Sequence, residues 1–314
     1  MFALRGGVDT CQVQKQVASY WNAKPCDSEF TAVKRLSPEF FFEVERERYR
    51  LQSHVPSLLD RFRWAGKRVL EIGTGVGTDA RQIIRRGAVY TGINVDAGST
   101  AATSAALGTF GLPGHVLQAD ATRMHFPDAS FDFVYTFGVL HHIPDVPAAM
   151  REIRRVLKPG GEVLAMLYNR TSINYAIEIR LLRKLGVQLL RAPGCVELLA
   201  KLGLPREKLE RHRALAQSAW RMSEADWLSR NTDGPDNPYS KVYGEEEARA
   251  LFTDFDVIRQ EVRYFNYEHW GPLGRALPRA AVEALGRRWG WHRIVHARKP
   301  NSGFAPVEAV VLRR

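Results

Sequence analysis

Between residues 67 and 167, short apolar runs alternate with amphipathic stretches. The apolar runs predict five strands, over residues 67–72, 88–95, 114–119, 131–136 and 162–167. Between them, helical patterns cover residues 77–86, 98–108 and 145–158. Strands that alternate with helices are typical of βαβ units. The pattern therefore predicts an α/β protein whose sheet is mostly parallel and has helices on both faces.

The rest of the chain is mainly helical. Residues 13–21 and 38–62 predict helices before the first strand, and residues 170–230 predict helices only. After a polar loop, the pattern predicts two further helices and two further strands, over residues 244–252, 277–286, 255–265 and 291–298. These last strands would complete a sheet of seven.

This pattern divides the chain into four segments. An N-terminal helical cap (1–63) precedes the alternating core (64–168). A helical insertion with its loop (169–243) falls between strands five and six, and the last helices and strands (244–314) complete the core sheet. The insertion lies where helices could cover a substrate, so we expect it to act as a lid.

Charge is distributed unevenly along the chain. Its 314 residues include 45 Lys and Arg against 34 Asp and Glu, which gives a formal charge of +11. Residues 170–230 hold 12 basic and 6 acidic side chains, and residues 271–314 hold 9 basic and 2 acidic ones. The excess positive charge therefore lies outside the alternating core. Nucleic acid, an anionic lipid surface and an anionic substrate all have to be considered as partners.

Cysteine spacing and hydropathy narrow the class of protein. Cys11, Cys26 and Cys195 form no CxxC pair, so neither a zinc knuckle nor a disulfide framework is predicted, and we expect no metal. The N-terminus lacks the apolar core of a signal peptide. The longest uncharged stretch, residues 97–119, is too rich in Gly, Ser and Thr for a membrane span. We expect a cytoplasmic protein.

A glycine-rich turn connects the first core strand to the helix that follows it. Residues 69–77 read VLEIGTGVG, so the spacing is GxGxG rather than the GxGxxG of dinucleotide-binding folds. The P-loop pattern GxxxxGK[ST] does not occur there. The acidic Glu71, two residues before Gly73, disfavours a pyrophosphate and favours a ligand that carries a cationic group.

These residues resemble motif I of class I S-adenosylmethionine-dependent methyltransferases. Four further motifs follow in order, QADAT at 118–122, FPDASFDFV at 126–134, VLHHI at 139–143 and EIRRVLKPGG at 152–161. Together they are similar to the ubiquinone/menaquinone C-methyltransferase-like group (methyltransferase type 11), whose members mostly methylate small molecules. The resemblance implies a Rossmann-like fold and S-adenosylmethionine as cofactor.

The resemblance also implies cofactor-binding residues. The backbone of the glycine loop would pass under the methionine part of the cofactor, and Glu71 would meet its ammonium group. The loop positions are Gly73, Thr74, Gly75 and Gly77. Asp120, followed by Ala121, stands where such families bind the adenine amino group, and Phe137 would face the sulfonium.

Two of the implied cofactor contacts have alternatives. Where the family usually has an acid that accepts both ribose hydroxyls, this chain has Asn94, and Asp96 two residues later is the alternative partner. Tyr20 and Trp21 could fold over the cofactor, because aromatic faces suit a sulfonium. The alternative for this aromatic pair is a helix staple.

Candidate catalytic residues are His141, His142 and Asp233. The two histidines follow the fourth strand, at the sheet edge where open α/β folds bind ligands. One of them could remove the acceptor's proton, and the alternative is that the pair orders a loop. Asp233 lies in the polar loop at 231–239, which is either a connector or part of the acceptor site.

The insertion carries apolar residues every fourth position, at Ile173, Ile177, Leu181 and Leu185. The alternatives are a helix packed on the domain with a solvated basic face, or a lid that admits an apolar or anionic acceptor and contacts a membrane surface.

The Asn/Asp-Pro-Pro-Tyr pattern of amine-modifying nucleic-acid methyltransferases is absent after strand four, where residues 136–140 read TFGVL. This disfavours nucleic acid as the partner.

We therefore predict methyl transfer to an O, N or C atom of a small molecule. A macromolecular methyltransferase acting on RNA or protein, and a catalytically silent S-adenosylmethionine-binding protein, are the alternatives.

Overall fold

The computed structural model describes residues 9–301, except residues 27, 29 and 205. Its sheet contains the strands Arg68–Ile72 (β1), Val89–Asn94 (β2), His115–Gln118 (β3), Phe131–Phe137 (β4), Leu157–Tyr168 (β5), Asp256–Arg263 (β6) and His292–Arg298 (β7). The strand order is β3-β2-β1-β4-β5-β7-β6. Strands β1 to β5 pair in parallel, and β7 is antiparallel to both β5 and β6. The predicted seven-stranded, mostly parallel sheet is confirmed.

Helices precede, connect and follow the strands. Before β1 lie Thr10–Ala23 (α1), Pro38–Leu51 (α2) and His54–Leu59 (α3). Between the core strands lie Thr78–Arg85 (α4), Ala97–Thr109 (α5) and Val146–Val156 (α6). The insertion contains a π-helix at Asn174–Leu182, then Arg183–Leu189 (α7), Cys195–Lys201 (α8), Arg206–Leu215 (α9) and Glu224–Thr232 (α10). The last segment contains Glu245–Leu251 (α11), Gly271–Arg275 (α12) and Arg279–Trp289 (α13).

The helix predicted over residues 38–62 is interrupted between α2 and α3. Pro56 has no N–H to donate to the carbonyl of Gln52, so a continuous helix cannot pass this point. Instead, the N–H of Val55 donates to that carbonyl at 2.9 Å and starts a new turn.

Both faces of the sheet are buried. From β1, Val69 packs on one face with Ile83 of α4, whereas Leu70 packs on the other face with Ile153 of α6. Strands buried on both faces form continuous apolar runs, which is why the sequence pattern marked them clearly. Among the described residues, none of the helices has the length and apolar character that crossing a bilayer would require.

The apolar stripe of the insertion does not pack on the domain. Ile177, Leu181 and Leu185 are 43%, 50% and 47% exposed. The buried side of the π-helix carries Tyr175 and Ile179 instead, and the carbonyl of Ile179 accepts a 2.7 Å hydrogen bond from the Trp227 indole. The interpretation of this stripe as a packed face is therefore wrong. Two sets of apolar residues share the four-residue spacing, and the set that contacts Trp227 is buried.

Candidate functional site

A cavity opens at the carboxyl ends of β1, β2 and β4. It encloses about 920 Å³ of empty space, part of which is open to solvent. Its lining includes polar residues from the core and from helices α1 and α2, among them Gln14, Arg48, Glu71, Thr74, Asp79, Asn94, Asp96 and His142. Apolar residues complete the wall, among them Val17, Trp21, Ile93, Ala121, Phe137 and Ile143.

The glycine loop forms the floor of this cavity and needs glycine for its backbone. Gly73, Gly75 and Gly77 have φ angles of +76°, +56° and +80°, in the left-handed region. Gly73 is also the most confined of the three, because a Cβ there would lie 2.2 Å from Cγ2 of Val139. Gly73, Thr74 and Gly75 line the cavity, whereas Gly77 caps the start of α4 outside the lining.

A directed chain of hydrogen bonds fixes this loop. The Thr103 hydroxyl donates to the carbonyl of Gly75 at 3.0 Å, so the Thr74 hydroxyl must be the donor in its 2.6 Å contact with Thr103. The Thr74 oxygen then accepts from the Asn94 amide nitrogen at 2.8 Å. The Asn94 amide oxygen accepts from the backbone N–H of Thr74, also at 2.8 Å. Both ends of the Asn94 side chain therefore hold the loop.

Asp96 is the other candidate partner for a ribose. One carboxylate oxygen caps α5 by accepting from the N–H of Ser99 at 2.6 Å. Like Asn94, Asp96 lines the cavity. Because the Asn94 amide is occupied by Thr74, these contacts favour Asp96 over Asn94 as an acceptor for ligand hydroxyls.

Charged groups gather at one part of the cavity. The Asp79 carboxylate accepts from Arg48 Nη2 at 2.6 Å, from the Tyr135 hydroxyl at 2.8 Å and from the Tyr49 hydroxyl at 3.0 Å. Glu71 accepts from the Tyr90 hydroxyl at 2.6 Å. Burial, followed by the charge of Asp79, raises the pKa of Glu71 to about 8. Glu71 is therefore mostly protonated at neutral pH until a cation approaches it.

Arg48 was not predicted as a site residue. It belongs to α2, and the sequence around it, ERERYR at 45–50, has the pattern of a solvated charged face. The structure buries Arg48 instead, and its guanidinium carbon lies 5.7 Å from the centre of the Phe137 ring. Placing a cation here gives the cavity both signs of charge.

The structure brings two of the three predicted catalytic residues together. His142 lines the cavity, and its Nε2 lies 3.5 Å from an Asp233 carboxylate oxygen. Its Nδ1 lies 2.8 Å from the carbonyl of Tyr239, which can only accept, so Nδ1 carries a proton. Asp233 is held by the Tyr168 hydroxyl, which donates at 2.8 Å. In the neutral ring, Nε2 is left with the free electron pair.

His141 is placed differently from its neighbour. It is fully buried, lies outside the cavity lining, and stacks on Tyr168 with ring centres 3.6 Å apart. Burial, followed by the charge of His142, holds the pKa of His141 well below its ordinary value. This corrects the interpretation of His141 as a candidate base, because a side chain behind the wall does not reach an acceptor.

Two predicted cofactor contacts also lie off the cavity wall. Asp120 accepts from the N–H and hydroxyl of Thr122, both at 2.8 Å, and from the Gln14 amide at 3.4 Å. Asp120 itself does not line the cavity, whereas its partner Gln14 and its neighbour Ala121 do. Tyr20 donates to the carbonyl of Asp233 at 2.6 Å, and it is Trp21, not Tyr20, that lines the cavity. Of the aromatic pair predicted to fold over the cofactor, only Trp21 is therefore placed where it could do so.

Comparison with known proteins identifies the core. Residues 70–165 match the family described as "Methyltransferase domain". A sterol 24-C-methyltransferase from Gibberella zeae is 40% identical over 99 residues, which cover 31% of this chain and 26% of that protein. A ubiquinone biosynthesis O-methyltransferase from Pseudomonas entomophila is 32% identical over 122 residues, 38% of this chain and 52% of that protein. The matches to these two relatives thus span about a quarter and about a half of their length.

Solved structures extend the likeness in fold beyond the core. The protein bound to the Trm112 methyltransferase activator in a complex from Haloferax volcanii has a TM-score of 0.54 and 15% identity, covering 93% of this chain and 99% of that one. A geranyl diphosphate C-methyltransferase from Streptomyces coelicolor, with S-adenosyl-L-homocysteine bound, has a TM-score of 0.52 and 14% identity. That match covers 91% of this chain and 98% of the other.

The sheet order and the glycine loop define the class of protein as a Rossmann-like α/β fold. Within that class, residues 70–165 are a class I S-adenosylmethionine-dependent methyltransferase domain. The match confirms the predicted family for these residues, and with it S-adenosylmethionine as the cofactor of this domain.

Proposed function

We propose that this protein transfers a methyl group to an O–H or N–H group of a small molecule, with His142 as the general base. The observation that carries the proposal is that His142 lines the same cavity as the glycine loop, with its Nδ1 held by the carbonyl of Tyr239 and its Nε2 beside the Asp233 carboxylate. Oxygen and nitrogen acceptors usually have to lose a proton, and a positioned imidazole suits that task.

The residues of the cavity fit S-adenosylmethionine. Its methionine part is a zwitterion, and the cavity offers Glu71 for the ammonium group and Arg48 for the carboxylate. Asp96 would accept from the ribose, and apolar side chains such as Ile93 and Ala121 would contact the adenine. A dinucleotide pyrophosphate would instead meet the carboxyl groups of Glu71, Asp79 and Asp96. The bound cofactor supplies a methyl group already activated on a sulfonium.

The chain's own residues would then position the acceptor and accept its proton. The Tyr239 carbonyl orients the His142 ring, so that Nε2 takes up the proton. Asp233, held by Tyr168, would stabilise the resulting imidazolium. Trp21 of α1 packs edge-on against His142 with ring centres 5.2 Å apart, and so covers the His142 ring on that side.

Labelled S-adenosylmethionine and a panel of phenols, catechols, alcohols and amines test the proposal. We expect methyl transfer to at least one of these small molecules, with retention of label in the organic product. Transfer only to RNA or protein in the same assay would assign the function to the macromolecular alternative. Tight binding of S-adenosylhomocysteine with no transfer to any acceptor would favour a silent binding protein.

The pKa of Glu71 gives a prediction that needs no acceptor. At about pH 7 the free protein holds a proton on Glu71, and a cationic ammonium beside it favours the ionised form. Binding of S-adenosylmethionine should therefore release a proton and should strengthen as the pH rises from about 6 to 8. Calorimetry in buffers of different ionisation enthalpy measures this release. Glu71→Gln should abolish it, whereas Asp96→Asn should retain it. Unchanged proton release in Glu71→Gln would rule out this role.

Asn94 and Asp96 can be separated by two nearly isosteric changes. Asn94→Asp removes the donor to Thr74, so we expect it to loosen the loop and to weaken S-adenosylmethionine binding. Asp96→Asn keeps a good helix cap but replaces a charged acceptor by a neutral one, which should weaken binding by about 3–10-fold. Calorimetry on both variants measures the effects. Tighter binding in Asn94→Asp, with no change in Asp96→Asn, would instead make Asn94 the ribose partner.

A further inference from the structure

The outward face of the insertion is unusually apolar for a helix surface. Five aliphatic side chains of the π-helix and α7 point to solvent and are between 43% and 67% exposed, at Ile177, Leu181, Leu182, Leu185 and Leu189. We call these five residues the leucine face. Isolated exposed leucines are ordinary, but a continuous stripe along one helix marks an interaction surface.

More exposed apolar residues lie in α8 and in the turn that follows α9. Leu198 and Leu202 of α8 are 59% and 73% exposed, and Trp220 is 60% exposed. The ammonium of Lys184 on α7 lies 5.5 Å from the centre of the Trp220 ring, so this tryptophan borders the same helix as the leucine face. An exposed tryptophan beside a cation is a common feature of surfaces at the headgroup level of a bilayer.

Positive charge is in excess on the insertion once ion pairs are taken into account. Most acidic side chains of the insertion are paired within it, as in Arg180–Glu224, Arg183–Glu178, Arg206–Glu210 and Arg211–Glu207. In the described part of the chain, no carboxylate pairs with the exposed Arg191, Lys201 or Arg221. These three cations follow Leu189, precede Leu202 and follow Trp220 closely in sequence. Unpaired positive charge thus accompanies the exposed apolar side chains.

We propose that the leucine face docks on an anionic lipid bilayer. Apolar side chains that enter the headgroup region, flanked by cations that meet anionic lipids, are the two components of interfacial binding. RNA fits this surface less well, because aliphatic side chains offer no stacking and Trp220 is the one exposed aromatic side chain described between residues 170 and 230.

The proposed docking surface is joined to the candidate acceptor site through the insertion itself. Arg183, at the start of α7, donates to the carbonyl of Asn231, two residues before Asp233. The same arginine pairs with the buried Glu178 of the π-helix at 2.6 Å. An amphiphilic acceptor held in a bilayer is the class of substrate that this placement favours, and that part of the inference rests on the proposed function.

Vesicle sedimentation of the whole chain tests the docking directly. We expect binding to phosphatidylcholine vesicles that contain phosphatidylglycerol, weakened by at least about tenfold with phosphatidylcholine alone or when NaCl is raised. The double variant Leu181→Ser/Leu185→Ser should lower the binding by about tenfold or more, because both side chains leave the bilayer. Leu273→Ser is the matched control. Leu273 is an 81% exposed leucine of α12, outside the insertion, and its replacement should change nothing.

Each other outcome would overturn the proposal. Equal vesicle binding by the double variant and the wild type would show that the leucine face is not the contact. Three further results would exclude an anionic bilayer as the occupant of the leucine face. They are a lack of wild-type binding to anionic vesicles, RNA binding that depends on these leucines, and a dimer that the double variant dissociates. S-adenosylhomocysteine affinity, measured in solution on the same samples, reports folding. Vesicle binding requires no methyl transfer, so failure of the docking leaves the proposed function intact.

Discussion

Gly73→Ala should reduce S-adenosylmethionine binding by at least about 100-fold, because displacing the loop forfeits several hydrogen bonds worth about 0.5–1.5 kcal/mol each. The added methyl group would lie 2.2 Å from Cγ2 of Val139, in the segment after β4. The φ angle of +76° adds backbone strain of about 1–2 kcal/mol. Calorimetry with S-adenosylhomocysteine measures the loss, and thermal unfolding measures the cost in stability.

Gly66→Ala is the matched control for this substitution. Gly66 has a similar φ of +73°, but nothing lies within 4 Å of the position that its Cβ would take. The control should therefore lose a similar amount of stability through backbone strain and should keep its affinity for the cofactor. Val139→Ala in the Gly73→Ala background should recover part of the binding, since it removes the clashing methyl group. Full binding in Gly73→Ala itself would mean that the loop shifts without cost.

The sequence was most informative where local and tertiary preferences agree. Strands β1, β2 and β4 are largely buried, so their apolar runs predict their ends within one or two residues. In contrast, β5 begins at Leu157, five residues before its predicted start at residue 162. Helix α6 has Asp145 as its cap, and the Asp145 carboxylate accepts from the N–H of Ala148 at 3.0 Å as its spacing suggests. The glycine loop is equally visible, because its conformation excludes most other residues.

The sequence was least informative where a tertiary contact decides between equivalent patterns. Arg48 has the sequence surroundings of a solvated arginine, yet it is buried, and it donates to Asp79, 31 residues further along the chain. On the π-helix, the spacing alone could not tell Tyr175 and Ile179 from Ile177 and Leu181. From the sequence, Asn94 looked like a weakened ribose partner. Its hydrogen bonds to Thr74 depend on how the loop closes, so the sequence pattern does not reveal them.

His141 and His142 show the same limit at the level of single residues. Both lie in one turn of 3-10 helix after β4, so the sequence does not distinguish them as candidate bases. The turn directs the first ring against Tyr168 and the second into the cavity. The chemical difference between them is therefore a difference in direction that only the folded structure shows.

His142→Gln should lower turnover by about 10²–10⁴-fold, the usual contribution of a general base, while S-adenosylhomocysteine affinity changes little. Glutamine can still donate to the carbonyl of Tyr239 but offers no basic nitrogen. Single-turnover transfer from labelled S-adenosylmethionine measures the loss. Asp233→Asn, which leaves the base but removes the charge beside it, should have a smaller effect.

The acidity of the acceptor separates a base from a structural role for His142. If His142 removes the proton, the penalty of His142→Gln should shrink for acceptors that are already ionised at the assay pH. In the variant, turnover of a weakly acidic acceptor should rise with pH in proportion to its ionised fraction, up to the acceptor's own pKa. A penalty of the same size for every acceptor would mean that His142 only orders the loop. Loss of S-adenosylhomocysteine binding in parallel with turnover would lead to the same conclusion, since the base acts only on the acceptor.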